Sequence, residues 1–140
     1  NDLNNLLLNI NIIEGNVNFS NSSIKWKKDL KIIFKDSQLI YDKEQIYLTG
    51  KMFLEFKNID NFYRSFQIPK SQRKKIESIQ FDFVYNFNNK DINFDNVKIN
   101  DTLNSVLEKF AEDTKLNEQD ISNKVKLKNF VNDFFNAYAG

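Results

Sequence analysis

The chain contains no cysteine and no histidine. Without cysteine it has neither a disulfide framework nor a thiolate nucleophile, and without histidine it lacks the side chain that most often transfers protons or binds metals near neutral pH. Both absences argue against most catalytic arrangements. We therefore expect a non-enzymatic protein with no catalytic residues, no metal site and no cofactor.

Long apolar runs and an excess of one charge are missing as well. The longest apolar runs, such as Leu6 to Leu8, fall far short of the roughly 20 residues that a membrane-spanning helix needs. The net charge of +1 provides no overall field for nucleic acid, whose non-specific binding depends on clustered cations. We expect no transmembrane segment in this chain and no nucleic acid among its partners.

The composition is that of a folded domain. With 140 residues, 41% hydrophobic and 14% aromatic, the chain can bury a core of its own and is too apolar for a disordered protein. One domain is the expectation. Because the chain begins with Asn1-Asp2 and shows no signal-peptide pattern, we expect it to be an excised segment of a longer protein or a processed product.

Two long alternating runs dominate the pattern, Gln45 to Lys57 and Ile76 to Phe87. Side chains in a strand point alternately to opposite faces, so each run predicts a β-strand with one apolar face and one mixed face. Gly50 falls on the apolar face of the first run and keeps its register. The ten apolar positions of these two strands are Ile46, Leu48, Met52, Leu54, Phe56, Ile79, Phe81, Phe83, Tyr85 and Phe87.

Shorter alternating runs fill the remainder of the first hundred residues. Turns of about two to four residues join them, and such short connections require antiparallel neighbours because a parallel crossover needs about a dozen residues. Asp36-Ser37 is interpreted as a turn between a strand over 30–35 and another over 38–41. The alternation shifts parity at Asp95-Asn96, which predicts a bulge or a tight turn.

Helical spacing appears in two regions. After Asp60, a predicted N-cap, apolar residues recur at helical spacing until Pro69. From Thr102 the period is 3.6, with one stripe from Leu103 to Phe110 capped by Asp101 or Thr102, and a stronger stripe over 127–138. The polar stretch 112–120 between the two stripes is predicted to be a loop.

These patterns predict a β-rich α+β fold. Residues 1–100 are expected to form a curved antiparallel β-meander of about six to eight strands, with a short helical insertion near residues 59–75. Residues 101–140 are expected to form a helical tail of amphipathic helices that packs on the sheet.

A succession of short motifs runs through the predicted sheet: EGNVNF over 14–19, SSIKW over 22–26, DSQL over 36–39, YLTGKM over 47–52 and DNVKIN over 95–100. From Leu8 to Asn100 this succession resembles the C-terminal region of AsmA-like proteins of Gram-negative bacteria. The resemblance implies a periplasmic segment, tethered to the inner membrane through an N-terminal anchor outside this chain. It also implies a β-sheet groove that takes part in outer-membrane biogenesis and in phospholipid transport between membranes.

By this resemblance, the ten apolar positions form a lipid-contacting surface, and the partners are phospholipid or other outer-membrane components. Acyl chains require continuous apolar surface, which these positions supply. In a second interpretation, the C-terminal helices cover the same face and make an ordinary core. The two interpretations are compatible if the helices cover one end of the apolar face and lipid contacts the remainder. The alternative function is a β-sheet interaction module that binds another envelope protein through an exposed edge strand.

Two further groups of residues are candidate sites. The basic clusters over 25–28 and 73–75 are able to bind phosphate, with Trp26 stacking or lying at a bilayer interface, but a solvated turn and helix end with Trp26 in the core is the favoured interpretation. The carboxylates of Asp82, Asp91 and Asp95 are assigned to a polar strand face and to turns, where Asp forms local hydrogen bonds.

Overall fold

In the computed structural model, which describes residues 3–140, ten strands form one antiparallel sheet. The strands are β1 Leu3–Leu7, β2 Asn11–Ile13, β3 Asn16–Asn18, β4 Ser23–Trp26, β5 Leu30–Asp42, β6 Gln45–Phe56, β7 Ser78–Asn86, β8 Asp91–Ile99, β9 Thr102–Leu103 and β10 Leu116–Asn117. The helices are α1 Asp60–Ser65, a 3-10 helix Lys70–Gln72, α2 Ser105–Asp113, α3 Glu118–Ser122 and α4 Lys124–Ala139. The predicted β-rich α+β class, with an antiparallel sheet and C-terminal helices, is confirmed.

The sheet is a meander of six lines, and each of the first two lines is divided into two short strands, β1 with β2 and β3 with β4. β5, β6, β7 and β8 lie side by side in chain order, and β3 and β4 both pair with the same side of β5. β1 and β2 pair in turn with β4 and β3. The described residues therefore form ten strands, whereas about six to eight were expected. The difference arises mainly because linkers divide each of the first two lines of the meander into two short strands.

Asp36-Ser37 is a β-bulge within one strand, so the predicted turn at this point was wrong. β5 runs unbroken for 13 residues, and its pairing with β6 shifts register between Lys35 and Gln38. Asp36 adopts a φ of 46°, which a short polar side chain tolerates. Residues that favour turns also favour bulges, and the sequence pattern does not distinguish the two.

Gly50 allows this bulge to lie against β6. A Cβ atom at Gly50 would stand 2.1 Å from the Oγ atom and 2.7 Å from the Cα atom of Ser37. The side chain of Ser37 is completely buried and its hydroxyl donates a hydrogen bond to the Lys35 carbonyl at 2.9 Å. The backbone N–H of Phe19, the residue after β3, donates to the Ser37 carbonyl at 2.7 Å. The bulge therefore also fixes the end of β3 beside β5.

The second predicted irregularity is confirmed as a bulge. The register between β7 and β8 shifts where Asp82 pairs with Asp95, and Asn96 adopts a φ of 50°. The extra residue turns Val97 into the core, where it is fully buried. The Val97 N–H donates to the Glu108 carboxylate at 2.5 Å, which links the bulge to α2.

The helical insertion lies where the spacing predicts it, but its cap differs. Asp60 is the first helical residue rather than the N-cap, and its N–H donates to the Asn58 side-chain oxygen at 2.9 Å. Tyr63 anchors the insertion, since its buried hydroxyl donates to the Lys74 carbonyl at 2.6 Å. Desolvation raises the pKa of Tyr63 to about 12, so this hydroxyl stays protonated as a donor.

The C-terminal helices begin later than predicted. Thr102-Leu103 forms β9 beside β8, and the cap of α2 is Asn104, whose side chain accepts from the Leu107 N–H at 2.9 Å. The predicted loop over 112–120 contains β10 and the start of α3. Asn117 and Asp120 form a capping box at α3, a signal that is clear only once the helix start is known.

The core lies at one end of the sheet. There the buried side chains of Leu30, Phe56, Ile79 and Ile99 meet the helices. From α1, α2 and α4 the helices contribute the buried residues Tyr63, Leu107, Ala111, Phe134 and Phe135. We call the helix-covered side of the sheet the inner face and the opposite side the outer face.

We predict that Gly50→Ala lowers the free energy of unfolding by about 2 kcal/mol or more, because the bulge backbone at Ser37 must move to admit the methyl group. Urea unfolding followed by circular dichroism measures this loss. Thr49→Ala, at the adjacent residue on the outer face, is the control and should change stability less. An unchanged unfolding midpoint for Gly50→Ala would contradict the proposed steric constraint.

Candidate functional site

The helices cover the inner face at the end of the sheet that contains Phe56, and the face becomes exposed toward the β5–β6 turn. Antiparallel register places Phe34 beside Met52, and Met52 beside Phe81, across three neighbouring strands. Nearer the β5–β6 turn, Leu39 pairs with Leu48, which in turn pairs with Tyr85. The ten apolar positions, nine in β6 and β7 and the tenth, Phe87, directly after β7, therefore lie on one face, as the alternation predicts.

A cavity of about 410 Å³ lies between this part of the inner face and the C-terminal helices. None of its lining side chains carries a charge, and only Tyr85 has a polar side-chain atom. The Tyr85 hydroxyl is 3.5 Å from a Glu118 carboxylate oxygen. The lining comprises Phe34, Leu48, Met52, Leu54, Phe62, Ile79, Phe81, Phe83, Tyr85, Ile92, Phe94, Leu116, Ile121, Phe130, Val131, Phe134 and Phe135.

Aromatic rings form much of this wall and hold one another in edge-to-face geometry. The ring centroids of Phe34 and Phe83 are 5.9 Å apart, and those of Phe81 and Phe94 are also 5.9 Å apart. Phe94 meets Phe130 of α4 at the same distance, with the ring planes at 86°. Such contacts add about 0.5–1.5 kcal/mol each beyond area burial, so they fix the shape of the cavity.

A second cavity of about 240 Å³ adjoins the first. The two share Phe34 and Leu48 as lining residues, so the apolar surface continues from one to the other. Its other lining residues are Leu8, Phe19 and Ser22 from the linkers between the N-terminal strands, Leu39 from β5, and Phe87, which follows β7.

Beyond the cavities, the inner face ends in exposed apolar side chains. Tyr41 is 71% exposed, Ile46 43% and Phe87 45%. Tyr41 and Ile46 are cross-strand partners, and the Phe87 N–H donates to the Ile46 carbonyl at 2.9 Å. We call these three residues the apolar rim.

The ten predicted residues fall into three groups. Phe56 is buried in the core at the helix-covered end, and Ile46 belongs to the apolar rim. Phe87 belongs to the rim and also lines the second cavity. The remaining seven line the main cavity: Leu48, Met52, Leu54, Ile79, Phe81, Phe83 and Tyr85.

The lining also includes residues outside the two predicted strands. Phe34 comes from β5, Phe94 from β8, and Phe130 and Phe134 from α4. The helical stripe over 127–138 identifies the apolar side of α4, but the sequence does not specify which part of the sheet this side covers. Phe34 was missed as a lining residue because its position depends on the register across the β5 bulge.

The polar candidates remain outside the cavities. The Trp26 ring packs edge-to-face on Phe62 with centroids 5.5 Å apart, and Lys27 Nζ lies 4.6 Å from the Trp26 centroid. Among the described residues, no group of three or more acidic side chains is arranged to hold a metal ion. Asp82 and Asp95 are direct cross-strand partners, and Asp91 is the first residue of β8. Asp91 and Asp95 therefore lie within a strand rather than in the predicted turns, because the chain stays paired with β7 through the bulge.

Comparison of the chain with protein-family models, with curated proteins and with solved structures gave no match. None of the helices within residues 3–140 combines the length and the apolar character needed to cross a bilayer.

The surroundings of the Asp95 carboxyl group disfavour its charged form. Desolvation raises its pKa above the ordinary value of 3.8, and the negative charges of Asp82 and Glu108 raise it further. The folded state therefore holds this proton more tightly than the unfolded chain. Stability from this group is greatest below pH 3.8 and falls as the pH rises through the raised folded pKa.

Asp95→Asn should accordingly raise the urea midpoint at about pH 7 and leave it nearly unchanged at about pH 3, where both states of the wild type are protonated. The gain should be small because the site is exposed and screened by solvent. Asp91→Asn, in the same strand, is the control. An equal gain at both pH values would show that charge repulsion is not its source.

Proposed function

We propose that this chain is a non-enzymatic lipid-binding segment of an AsmA-like envelope protein. In this proposal the main cavity holds an acyl chain of a phospholipid, or of another outer-membrane lipid, during transport between membranes. The observation that supports it most directly is the lining of the cavity, which has no charged side chain and a single hydroxyl. A hydrocarbon chain is the ligand class that such a lining favours, because it leaves no polar group unpaired.

The dimensions of the cavity suit one acyl chain. Leu48 and Leu54 both line it and are six residues apart in β6, which corresponds to about 20 Å of extended strand. One leaflet of a bilayer accounts for about 15 Å of hydrocarbon, half of the total thickness. The volume of about 410 Å³ also lies within the range of roughly 300–1,000 Å³ that is usual for ligand pockets.

The apolar rim supplies an entrance for such a chain. Tyr41, Ile46 and Phe87 continue the inner face beyond the cavities and are exposed to solvent. A lipid tail that contacts the rim first meets the second cavity, which Phe87 lines, and then the main cavity past Phe34 and Leu48. Each methylene transferred along this path from water gains about 0.8 kcal/mol.

The ordinary-core interpretation accounts for the other end of the inner face. Phe56 and Ile79 are buried against the helices and act there as core residues. The helices thus close one end of the sheet, and the proposal assigns lipid to the cavity that adjoins this core between the sheet and the helices. The periplasmic location and the tether to the inner membrane belong to the same proposal and derive from the resemblance in sequence.

Replacement of Leu48 by Asp should abolish lipid binding, because the carboxylate would have to be desolvated at the junction of the two cavities. We expect the wild-type chain, expressed in a bacterial periplasm, to retain phospholipid in native mass spectrometry. Leu48→Asp should retain none while its circular dichroism spectrum remains that of a folded β-rich protein.

Thr49→Asp is the matched control, since Thr49 is the next residue in the same strand and faces the opposite side of the sheet. Lipid should be retained by this variant. A wild-type chain that is folded, free of lipid and unable to bind a fluorescent fatty acid would contradict the proposal. Equal loss of lipid from both variants would place the binding surface elsewhere.

Binding should also depend on the length of the tail rather than on the headgroup. Each added methylene should strengthen binding by about fourfold, which corresponds to about 0.8 kcal/mol, until the tail is as long as the cavity. Competition of saturated fatty acids and lysophospholipids against a fluorescent fatty acid measures this series. A strong preference among headgroups at constant tail length would argue against a purely apolar site.

A further inference from the structure

The helical insertion between β6 and β7 concentrates basic side chains. Residues 57–75 contain six basic residues and one acidic residue, Asp60, although the whole chain has a net charge of only +1. Burial of Ile59, Tyr63 and Ile68 holds this segment against the core, at the end of the sheet that the helices close. We call residues 57–75 the basic insertion. Its basic residues are the exposed Lys57, Arg64, Lys70, Lys74 and Lys75, and the half-buried Arg73.

Hydrogen bonds hold the basic residues in place. The Tyr63 hydroxyl donates to the Lys74 carbonyl at 2.6 Å and accepts from the Lys74 N–H at 3.2 Å, which fixes the run 73–75 beside α1. The Arg73 Nε–H donates to the Ile68 carbonyl at 2.9 Å. Because the bonds of Lys74 use only its backbone, its ammonium group remains available to a ligand.

Lysines from two other parts of the chain adjoin the basic insertion. The Lys27 ammonium group donates to the Ser65 hydroxyl at 2.9 Å, and that of Lys128 in α4 donates to the side-chain oxygen of Gln67. None of the six basic side chains of the insertion forms an ion pair within residues 3–140. Direct contact with a carboxylate therefore does not neutralise the positive charge of the insertion.

The opposite end of the sheet has the opposite balance of charge. The β5–β6 turn, the β7–β8 turn and β10 lie there, since Asp42 pairs with Gln45 and Leu116 pairs with Ile92 near the start of β8. The molecule is therefore electrically polarised along its strands, and an anionic surface would attract it with the basic insertion foremost. At this opposite end the acidic residues Asp42, Glu44, Asp91, Glu118 and Asp120 outnumber Lys43, Lys90 and Lys115.

We propose that the basic insertion binds the phosphate headgroups of an anionic lipid bilayer, with the strands directed away from the membrane surface. Clustered lysine and arginine side chains are attracted to a surface that carries many phosphates. Single-stranded nucleic acid fits less well, because it requires rings on which bases stack. Here Trp26, Phe62 and Phe66 already pack on one another, with centroids 5.5, 6.2 and 4.5 Å apart. The proposal does not depend on lipid in the cavities.

Co-sedimentation with vesicles tests the binding. The wild-type chain should bind vesicles of phosphatidylcholine mixed with phosphatidylglycerol, should not bind vesicles of phosphatidylcholine alone, and should be released at high ionic strength. Each basic residue near an anionic membrane strengthens binding by about fivefold, so Lys74→Gln combined with Lys75→Gln should raise the Kd by roughly 25-fold. Both side chains are exposed, so the substitutions leave the fold intact.

Lys43→Gln combined with Lys90→Gln is the matched control, because it removes the same net charge from the turns at the other end of the sheet. This variant should bind like the wild type. Leu48→Asp should also bind the vesicles like the wild type, so a failure of the cavity proposal would not change this result. Equal weakening by the two double variants, or no binding to the phosphatidylglycerol vesicles, would overturn the proposal. Tighter binding to a single-stranded oligonucleotide would also overturn it and would assign the insertion to nucleic acid.

Fluorescent labels at single cysteines test the orientation, since the chain has no cysteine of its own. Ser71→Cys places the label in the basic insertion, and Asn89→Cys places it in the β7–β8 turn; both positions are exposed. A quencher attached to the lipid headgroups should quench the label at position 71 more strongly than the label at position 89. Equal quenching, or stronger quenching at position 89, would overturn the proposed orientation.

Discussion

The close approach of Gly50 to Ser37 is the constraint on which the sheet depends. It lies where the two longest strands pair, and it lets β5 carry an extra residue without losing its neighbour. On one side of the bulge β5 pairs with β4, and on the other side it pairs with β3. The bulge in β5 thus lies opposite the break between β3 and β4, and Phe19 and Ser20 form hydrogen bonds directly to the Ser37 backbone.

The cavity follows from a mismatch in length between the sheet and its helices. β6 has 12 residues, and the helices pack against the end of the sheet that contains Phe56. Aromatic side chains at the boundary pack edge to face. The same face therefore serves as core at one end and as an accessible apolar surface at the other, with Met52 and Phe81 between the two.

Much of this arrangement could be predicted from the sequence. A period of two over 45–57 and 76–87 fixes which side chains of β6 and β7 share a face, and the stripe over 127–138 identifies the buried side of α4. The position of the helices along the sheet depends on contacts between distant residues such as Phe94 and Phe130, which local patterns do not contain. For the same reason, the sequence predicts only that Gly50 keeps the strand in register. Its close approach to Ser37 arises from the pairing of β5 with β6, and the two residues are not neighbours in the sequence.

The apolar lining of the main cavity has a consequence for motion. A hydrogen-bonding group in such a wall would hold a ligand at one position, because moving away would leave that group unpaired. Apart from Tyr85, the cross-strand partner of Leu48, the wall from Leu54 to Leu48 supplies only dispersion contacts, which are individually weak and similar at each step. A hydrocarbon chain in this space would have no preferred position along the strands. It could therefore move along them over a low energy barrier, which a conduit for lipid requires and a receptor does not.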